Sequence, residues 1–499
     1  MGSVVQAMEL VMRPDVLVAI ILASAFGLFV GAIPGLTATM AIALLVPVTF
    51  FMDPLPAIGA MIACSAMAIF AGDIPAALLR IPGTPASAAY ADEAYAMTKN
   101  GQADLSLGSN LLFSAIGGLF GTAVLIVAAP TLAEIALQFS SFEFFWLCLL
   151  GLTCGVFIGG NNPIKGLISL FLGLLVACVG LNNPAGVPRF TFGNVDLMGG
   201  IDFIPAMIGL FAISEIIRYL ISDISAVGTP QEVIGNLFKG WGTMIRKYWR
   251  QQLRGNITGT IVGILPGAGA DIAAWVSYAI SKRFSKTPEK FGKGHLEGIV
   301  ESTSSNNAAL GGAWVPALVF GIPGDSITAI VIGVLFMKNM NPGPTLFLNH
   351  PEQIYAVFVI FIIANLLMVP LGWAAIKGSK QILRVPRHIL MPCILMFCIV
   401  GSFAINNAIF GIVIMLAFGV VGFLMEENDI PVAPAILGIV LGPMVEQAFV
   451  TSMIKSDGAA LGFFERPIAA GLGVVTIFVW ISPFLVPFIK RALRPAAQA

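Results

Sequence analysis

The chain has 499 residues, 58% of them hydrophobic and 10% charged, and its 26 basic and 26 acidic side chains cancel. A water-soluble surface draws on about a quarter of charged residues, so a soluble globular protein is excluded and an integral membrane protein is predicted. The balanced charge leaves no bulk field for nucleic acid, which is excluded as a partner; the lipid bilayer is the predicted one.

Arg13 is the one basic residue ahead of the first apolar run, and no small-residue cleavage pattern follows it. The segment therefore reads as a retained first helix. A span needs about 20 mostly apolar residues, and the runs here are separated by short Pro, Asn, Gly or Lys/Arg punctuation. They predict an all-α polytopic fold of about 10 to 14 membrane elements without long extramembrane domains.

Residues 31–39 read Gly-Ala-Ile-Pro-Gly-Leu-Thr-Ala-Thr, and residues 263–271 answer with Gly-Ile-Leu-Pro-Gly-Ala-Gly-Ala-Asp. Each copy interrupts a long apolar stretch. Backbone freed from helical pairing cannot face lipid, so it faces protein or a water-filled cavity. Paired breaks in two halves of a chain point to a secondary transporter. Pro75–Gly83 likewise answers Pro316–Gly324, and Cys148 with Asn161-Asn162 answers Cys393 with Asn406-Asn407, the asparagine pairs reading as repeat-related turns. Three features in the same order predict a duplicated fold, with a first membrane repeat over 1–235 and a second over 236–499.

Lys and Arg favour the cytoplasmic side of a membrane. The broken segment Asn256–Tyr278 is flanked by Lys239, Arg246, Lys247, Arg250 and Arg254 before it and by Lys282, Arg283, Lys286, Lys290 and Lys293 after it. Both ends then face the cytoplasm, which predicts a re-entrant hairpin reaching about halfway across a hydrocarbon core roughly 30 Å thick. Pro14–Leu79, the matching region of the first half, holds no Lys or Arg. Lys377, Lys380, Arg384 and Arg387 contrast in the same way with a first-half stretch, Thr131–Phe142, that has no basic residue. The halves are therefore expected to be inverted in the membrane. Lys490, Arg491 and Arg494 put the C-terminus in the cytoplasm, and Gln231–Arg254, with Trp241 and Trp249, reads as an interfacial connector.

Four unwound elements are predicted, at Gly31–Thr39, Ile81–Ser87, Gly263–Asp271 and Ile322–Thr328, each with a Pro-Gly pair. Proline removes a donor, glycine lets backbone approach a ligand, and the half-helix that follows presents free N–H groups and a positive dipole end. Such an arrangement suits a carboxylate, unless the prolines merely kink helices. Candidate substrate groups are the backbone at Gly35, Gly83, Gly267, Gly269 and Gly324 and the hydroxyls of Thr37, Thr39, Thr84, Ser87, Ser326 and Thr328. Carbonyls at the opposing half-helix ends suit a hard cation such as Na⁺.

The run Glu301–Asn307 enters an apolar segment, and Ser304, Asn306 and Asn307 are expected to line the cavity as substrate or ion ligands, the other reading being a solvated loop before a helix cap. Asp271 follows a Pro-Gly break, where an ionised carboxylate costs about 3 kcal/mol or more. It reads as an Na⁺ ligand, a proton exchanger or a cap, and Asp325 and Asp73 share the ambiguity. Arg80 either neutralises an anionic substrate or snorkels to the interface. His295, His350 and His388 are isolated, and Cys64, Cys148, Cys154, Cys178, Cys393 and Cys398 read as packing residues. No metal site, cofactor or catalytic set is expected: His-Glu-x-x-His, Gly-x-Ser-x-Gly and the phosphate-loop pattern are absent from the sequence.

Residues 31–45, 81–85 and 263–278 resemble the large membrane subunit of the tripartite tricarboxylate transporters, with similarity over nearly the whole chain. The resemblance implies a permease of the bacterial inner membrane, working with a small membrane subunit and a periplasmic solute-binding protein that delivers a carboxylate such as citrate or another organic acid. It implies secondary active uptake, coupled to Na⁺ or H⁺. A stand-alone carboxylate symporter, an intramembrane enzyme and a channel are the competing readings.

Overall fold

A computed structural model of the chain describes residues 2–158, 162–181, 184, 186–221, 235–383 and 387–492. Asn161, residues 231–234 of the expected connector, Arg384 and Arg494 lie outside the described residues, as do the side chains of Cys154, His388 and Asn406. Helices dominate the described residues, with no strand among them. Seven are long and apolar enough to cross a membrane, from Pro14–Gly31 to Ala433–Lys455, and six shorter apolar helices accompany them. An all-α polytopic fold is thus what the composition produces.

The chain forms two compact units, one from Met1–Leu137 with Asp202–Val432 and one from Gln138–Ile201 with Ala433–Ala499. Both draw on residues before and after 235, so compactness cuts across the sequence division at 1–235 and 236–499.

The smaller unit contains Ser141–Ile158, Pro163–Ala177, Ala433–Lys455 and Pro467–Ala492. Its buried acid, Glu143, accepts from Ser140 N at 2.8 Å and from Arg466 Nε at 2.6 Å, so the charge is buried as part of a pair. Trp146 donates Nε1 to Phe463 O at 2.9 Å. None of the expected site residues falls in this unit.

In the larger unit we label α1 (Pro14–Gly31), α2 (Ala38–Phe50), α3 (Pro54–Ala71), α4 (Asp73–Leu79), α5 (Pro85–Ala88), α6 (Ala91–Lys99), α7 (Ala103–Ala136), α8 (Trp241–Ile264), α9 (Gly269–Phe284), α10 (Leu296–Phe320), α11 (Ser326–Met337) and α12 (Pro351–Lys377). Proline begins α1, α3, α5 and α12, where its missing N–H has no intrahelical role. Small residues then let backbones touch, because lipid gives apolar helices no hydrophobic reason to associate.

These contacts follow the sequence repeat. A Cβ on Gly27 or Gly31 of α1 would stand 2.5 Å from Cys64 O or Ala68 O of α3. A Cβ on Gly259 or Gly263 of α8 would stand 2.2 or 2.3 Å from Ser305 O or Ala309 O of α10, and these four pairs occupy matching positions in the two halves. The ends of α4 and α10 match as well. Arg80 takes φ 60° and donates its N–H to Ala76 O, with Ile81 N on Pro75 O; Gly321 takes φ 69° and donates to Ala317 O, with Ile322 N on Pro316 O. Both are left-handed terminations that consume the last carbonyls of a helix.

Candidate functional site

Each Pro-Gly element opens a helix, and the four are linked to one another. Between α1 and α2, Gly35 has φ 89° and is exposed, and Thr37 caps α2 by accepting from Met40 N at 3.2 Å. Between α4 and α5, Gly83 donates its N–H to Gly72 O at 3.1 Å, and a Cβ there would stand 2.7 Å from Gly31 O, so this break lies against the first. Thr84 and Ser87 cap α5 reciprocally: Ser87 N donates to Thr84 Oγ1 at 3.2 Å and Thr84 N to Ser87 Oγ at 3.1 Å.

The second half repeats the design with acids in it. Between α8 and α9, Gly267 has φ 81° and donates to Gly324 O at 2.8 Å. Asp325 caps α11, accepting from Thr328 N at 2.8 Å while Asp325 N donates to Thr328 Oγ1 at 2.9 Å. Asp325 also packs on Gly269, where a Cβ would be 2.5 Å from its own Cβ. Asp271, in the first turn of α9, accepts from Ala86 N of α5 at 3.1 Å, and Trp275 Nε1 donates to Pro85 O at 3.1 Å. With α2, which the first break opens, packed on α11, which the fourth opens, the four elements of break and helix form a ring.

The ring has a neutral half and an acidic half. Superposing the repeated motifs places Thr39 opposite Asp271 and Thr84 opposite Asp325. Thr37 and Thr39 are partly exposed; Asp271 is exposed, Asp325, Ser326 and Gly267 partly so. Asp271 and Asp325 lie near enough to repel each other. No Lys, Arg or His occurs within the four elements. Arg80, adjacent to the second, is exposed and paired with Asp92 at 2.8 Å. Thr37 and Thr84 each use an oxygen lone pair in capping and keep the hydroxyl hydrogen to donate. At the start of α9 no side chain caps the helix, which leaves its first N–H groups available.

A family model for the tripartite tricarboxylate transporter TctA family matches residues 17–437. The chain belongs to that family. It is 34% identical over 460 residues, 92% of this chain and 91% of the relative, to a protein of Agrobacterium vitis described as an uncharacterized 52.8 kDa protein in the TAR-I ttuC' 3' region. A second protein of that organism, described by the TAR-II ttuC' 3' region, is 34% identical over 228 residues, 45% of this chain and 94% of its own length. No solved structure matches. The TctA-family chain is thus a tricarboxylate-transporter permease by descent, and its ring of breaks lies within the matched region.

The remaining expected residues are distributed differently. Gly83 and Gly324 are buried in backbone contacts of the ring. The run Glu301–Asn307 lies inside α10 and is buried throughout, so it is no solvated loop. Ser304 donates to Val300 O at 2.8 Å and sits where α10 crosses α7 at Gly117 and α8 at Gly255. Asn307 points Nδ2 at Ala66 O of α3 from 3.5 Å, and Glu301 pairs with Arg254 through two contacts of 2.5 Å. Asn306 lies beside Tyr90 of the α5–α6 junction. A cavity of about 170 Å³ elsewhere in the unit, lined by Pro130, Glu134, Phe347, Pro351 and Tyr355, is mostly apolar and holds none of the expected residues.

Sequence reading missed Glu93. Fully buried on α6, it accepts from Tyr278 Oη of α9 at 2.9 Å, from Gly294 N and His295 N at 2.7 Å each, and from Gly292 N. It fastens the connector between α9 and α10 to the element that carries α5. Its setting, Ala91–Lys99, is as polar as an ordinary surface helix, so spacing gave no signal.

Proposed function

We propose that this permease imports an organic carboxylate together with a cation, binding both at the ring of broken helices. The observation that carries the reading is the division of the ring. Its neutral half, Gly35, Thr37, Thr39 and Thr84, offers hydroxyl and backbone donors without an acid, while its other half, Gly267, Gly269, Asp271, Asp325 and Ser326, concentrates two carboxylates. With no basic side chain in the four elements, a bound carboxylate is not neutralised by the protein there. A cation held by Asp271 and Asp325 offsets both the substrate and the two acids, and we assign that place to the coupling ion, Na⁺ in preference to H⁺ because carboxylate, carbonyl and hydroxyl oxygens are hard ligands.

Membership of the TctA family supports a three-part system, in which a small membrane subunit assists and a periplasmic solute-binding protein delivers the carboxylate from outside the bacterial inner membrane. On this reading the two halves are inverted, the Pro-Gly hairpins re-enter the membrane from opposite sides, and the C-terminus is cytoplasmic. The test is uptake of labelled di- and tricarboxylates into proteoliposomes holding both membrane subunits, with binding protein added outside and an imposed Na⁺ gradient. Uptake that needs the gradient and, at low substrate concentration, the binding protein is expected. Equal uptake without the binding protein would instead identify a stand-alone symporter.

A further inference from the structure

Of the three aspartates in apolar sequence settings, two have helix N–H groups as partners: Asp271 takes Ala86 N and Asp325 takes Thr328 N. Asp73 has none. It lies within the long span that TM-length helices α3 and α4 form together, and it is fully buried. Its Oδ1 accepts from Tyr90 Oη at 2.5 Å, while its Oδ2 has no partner. Beside the same phenol, near enough for its nitrogen to act on the phenol oxygen, stands the amide of Asn306, 1% exposed, whose Oδ1 has no partner. Tyr90 is itself fully buried.

A carboxylate oxygen and an amide oxygen without donors, buried around one hydroxyl, are costly in apolar surroundings, and both are offset by a ligand that takes oxygen atoms and carries positive charge. We propose that Asp73, Tyr90 and Asn306 form an occluded Na⁺ site, separate from the cation place on the acidic half of the ring. A proton on Asp73 is the rival occupant, and it is told apart by its indifference to the exchange of Na⁺ for K⁺. A divalent metal is the wrong class, since no group of three His, Cys, Asp or Glu side chains gathers among the described residues. Asn306 comes from α10 of the second half, Asp73 and Tyr90 from the first, so the cation ties the halves together at the back of α5. The site rests on the transport reading for its purpose, and its existence is tested without transport.

The experiment uses the full chain in nanodiscs, free of carboxylate and carrying Asp271→Asn with Asp325→Asn, which keep the two capping oxygens and leave the ring no carboxylate to hold a cation. Thermal unfolding is followed in NaCl, KCl and choline chloride at one ionic strength, with retention of ²²Na⁺ as the second readout. The midpoint should rise with NaCl and not with KCl, as ligand linkage requires. Asp73→Asn should weaken apparent Na⁺ affinity at least about 10-fold, and Asn306→Ala or Tyr90→Phe by several-fold. Identical midpoints in NaCl and KCl, or an Na⁺ response undiminished in Asp73→Asn, would overturn the site. If Asp73→Asn does not fold, Asn306→Ala and Tyr90→Phe decide in the same way. Because no substrate is present, failure here leaves carboxylate uptake standing, and failed uptake leaves the Na⁺ titration readable.

Discussion

Asp271→Asn separates the helix tie that Asp271 makes from the cation role proposed for it. The asparagine side chain keeps an oxygen for Ala86 N, now 3.1 Å from Oδ1, so the tie between α9 and α5 survives. What disappears is one negative charge. A cation about 4 Å from a carboxylate gains about 1 kcal/mol in water and about 4 kcal/mol at an effective dielectric constant near 20. Asp271 is exposed, which places the loss toward the lower end, about 1–2 kcal/mol, or roughly 5- to 30-fold in the Na⁺ concentration that half-saturates uptake. Removing the repulsion with Asp325 also means that the variant should melt no lower than the parent. Asp271→Ala, in contrast, strands the Ala86 N–H as well and should lose about 1–3 kcal/mol of stability. Uptake in proteoliposomes is measured against Na⁺ at fixed carboxylate, with choline replacing Na⁺. An unchanged half-saturation in Asp271→Asn would refute the cation role and leave Asp271 as a cap.

Gly83→Ala would bring a Cβ to 2.6 Å from Gly72 Cα and 2.7 Å from Gly31 O, so it should cost about 1–3 kcal/mol in thermal unfolding, whereas Gly242→Ala, with nothing within 4 Å, should cost little. Equal effects of the two would remove the close approach of the first two breaks. Glu93→Gln turns one of two accepting oxygens into a donor that faces N–H groups, and should lose about 2–4 kcal/mol and expose the Ser285–His295 connector to protease; a wild-type digestion pattern would count against the latch. Single cysteines near Asp53 and near Ser285, in a background without native cysteines, should label from opposite sides of the membrane, and labelling from one side would defeat the inverted arrangement.

The repeat and the breaks were legible because they rest on backbone chemistry that sequence records directly: proline and glycine in an apolar run admit few outcomes. Thr84 and Ser87 were visible as hydroxyls near a break, and their spacing matches the capping box they form. The polar run before Ile322 was harder. Helix and loop readings of Glu301–Asn307 differ in whether small residues on other helices come to meet it, and Gly117 and Gly255, which do, lie far away in sequence. Glu93 was illegible for the same reason. A carboxylate satisfied by backbone N–H groups of a distant connector looks, in sequence, like a carboxylate satisfied by water.

The duplication also explains why the site is not symmetric. Helix starts gathered in a ring present N–H groups and positive dipole ends, and without acids such a ring would favour an anion alone. At the position of Thr39 the second half has Asp271, and at that of Thr84 it has Asp325. Asp325 still caps its helix as Thr84 does, with the same reciprocal bond to a hydroxyl three residues on, so the fold is kept while the charge changes. On the proposed reading, two such exchanges in one half would convert part of an anion site into a cation site and set the two next to each other. A carboxylate entering without its cation then meets the field of Asp271 and Asp325 uncompensated, and a cation entering alone leaves the donors of Thr37, Thr39 and Thr84 unused. On that reading each ligand would raise the affinity for the other, and by linkage the effect would be reciprocal, which is the thermodynamic requirement of a symporter.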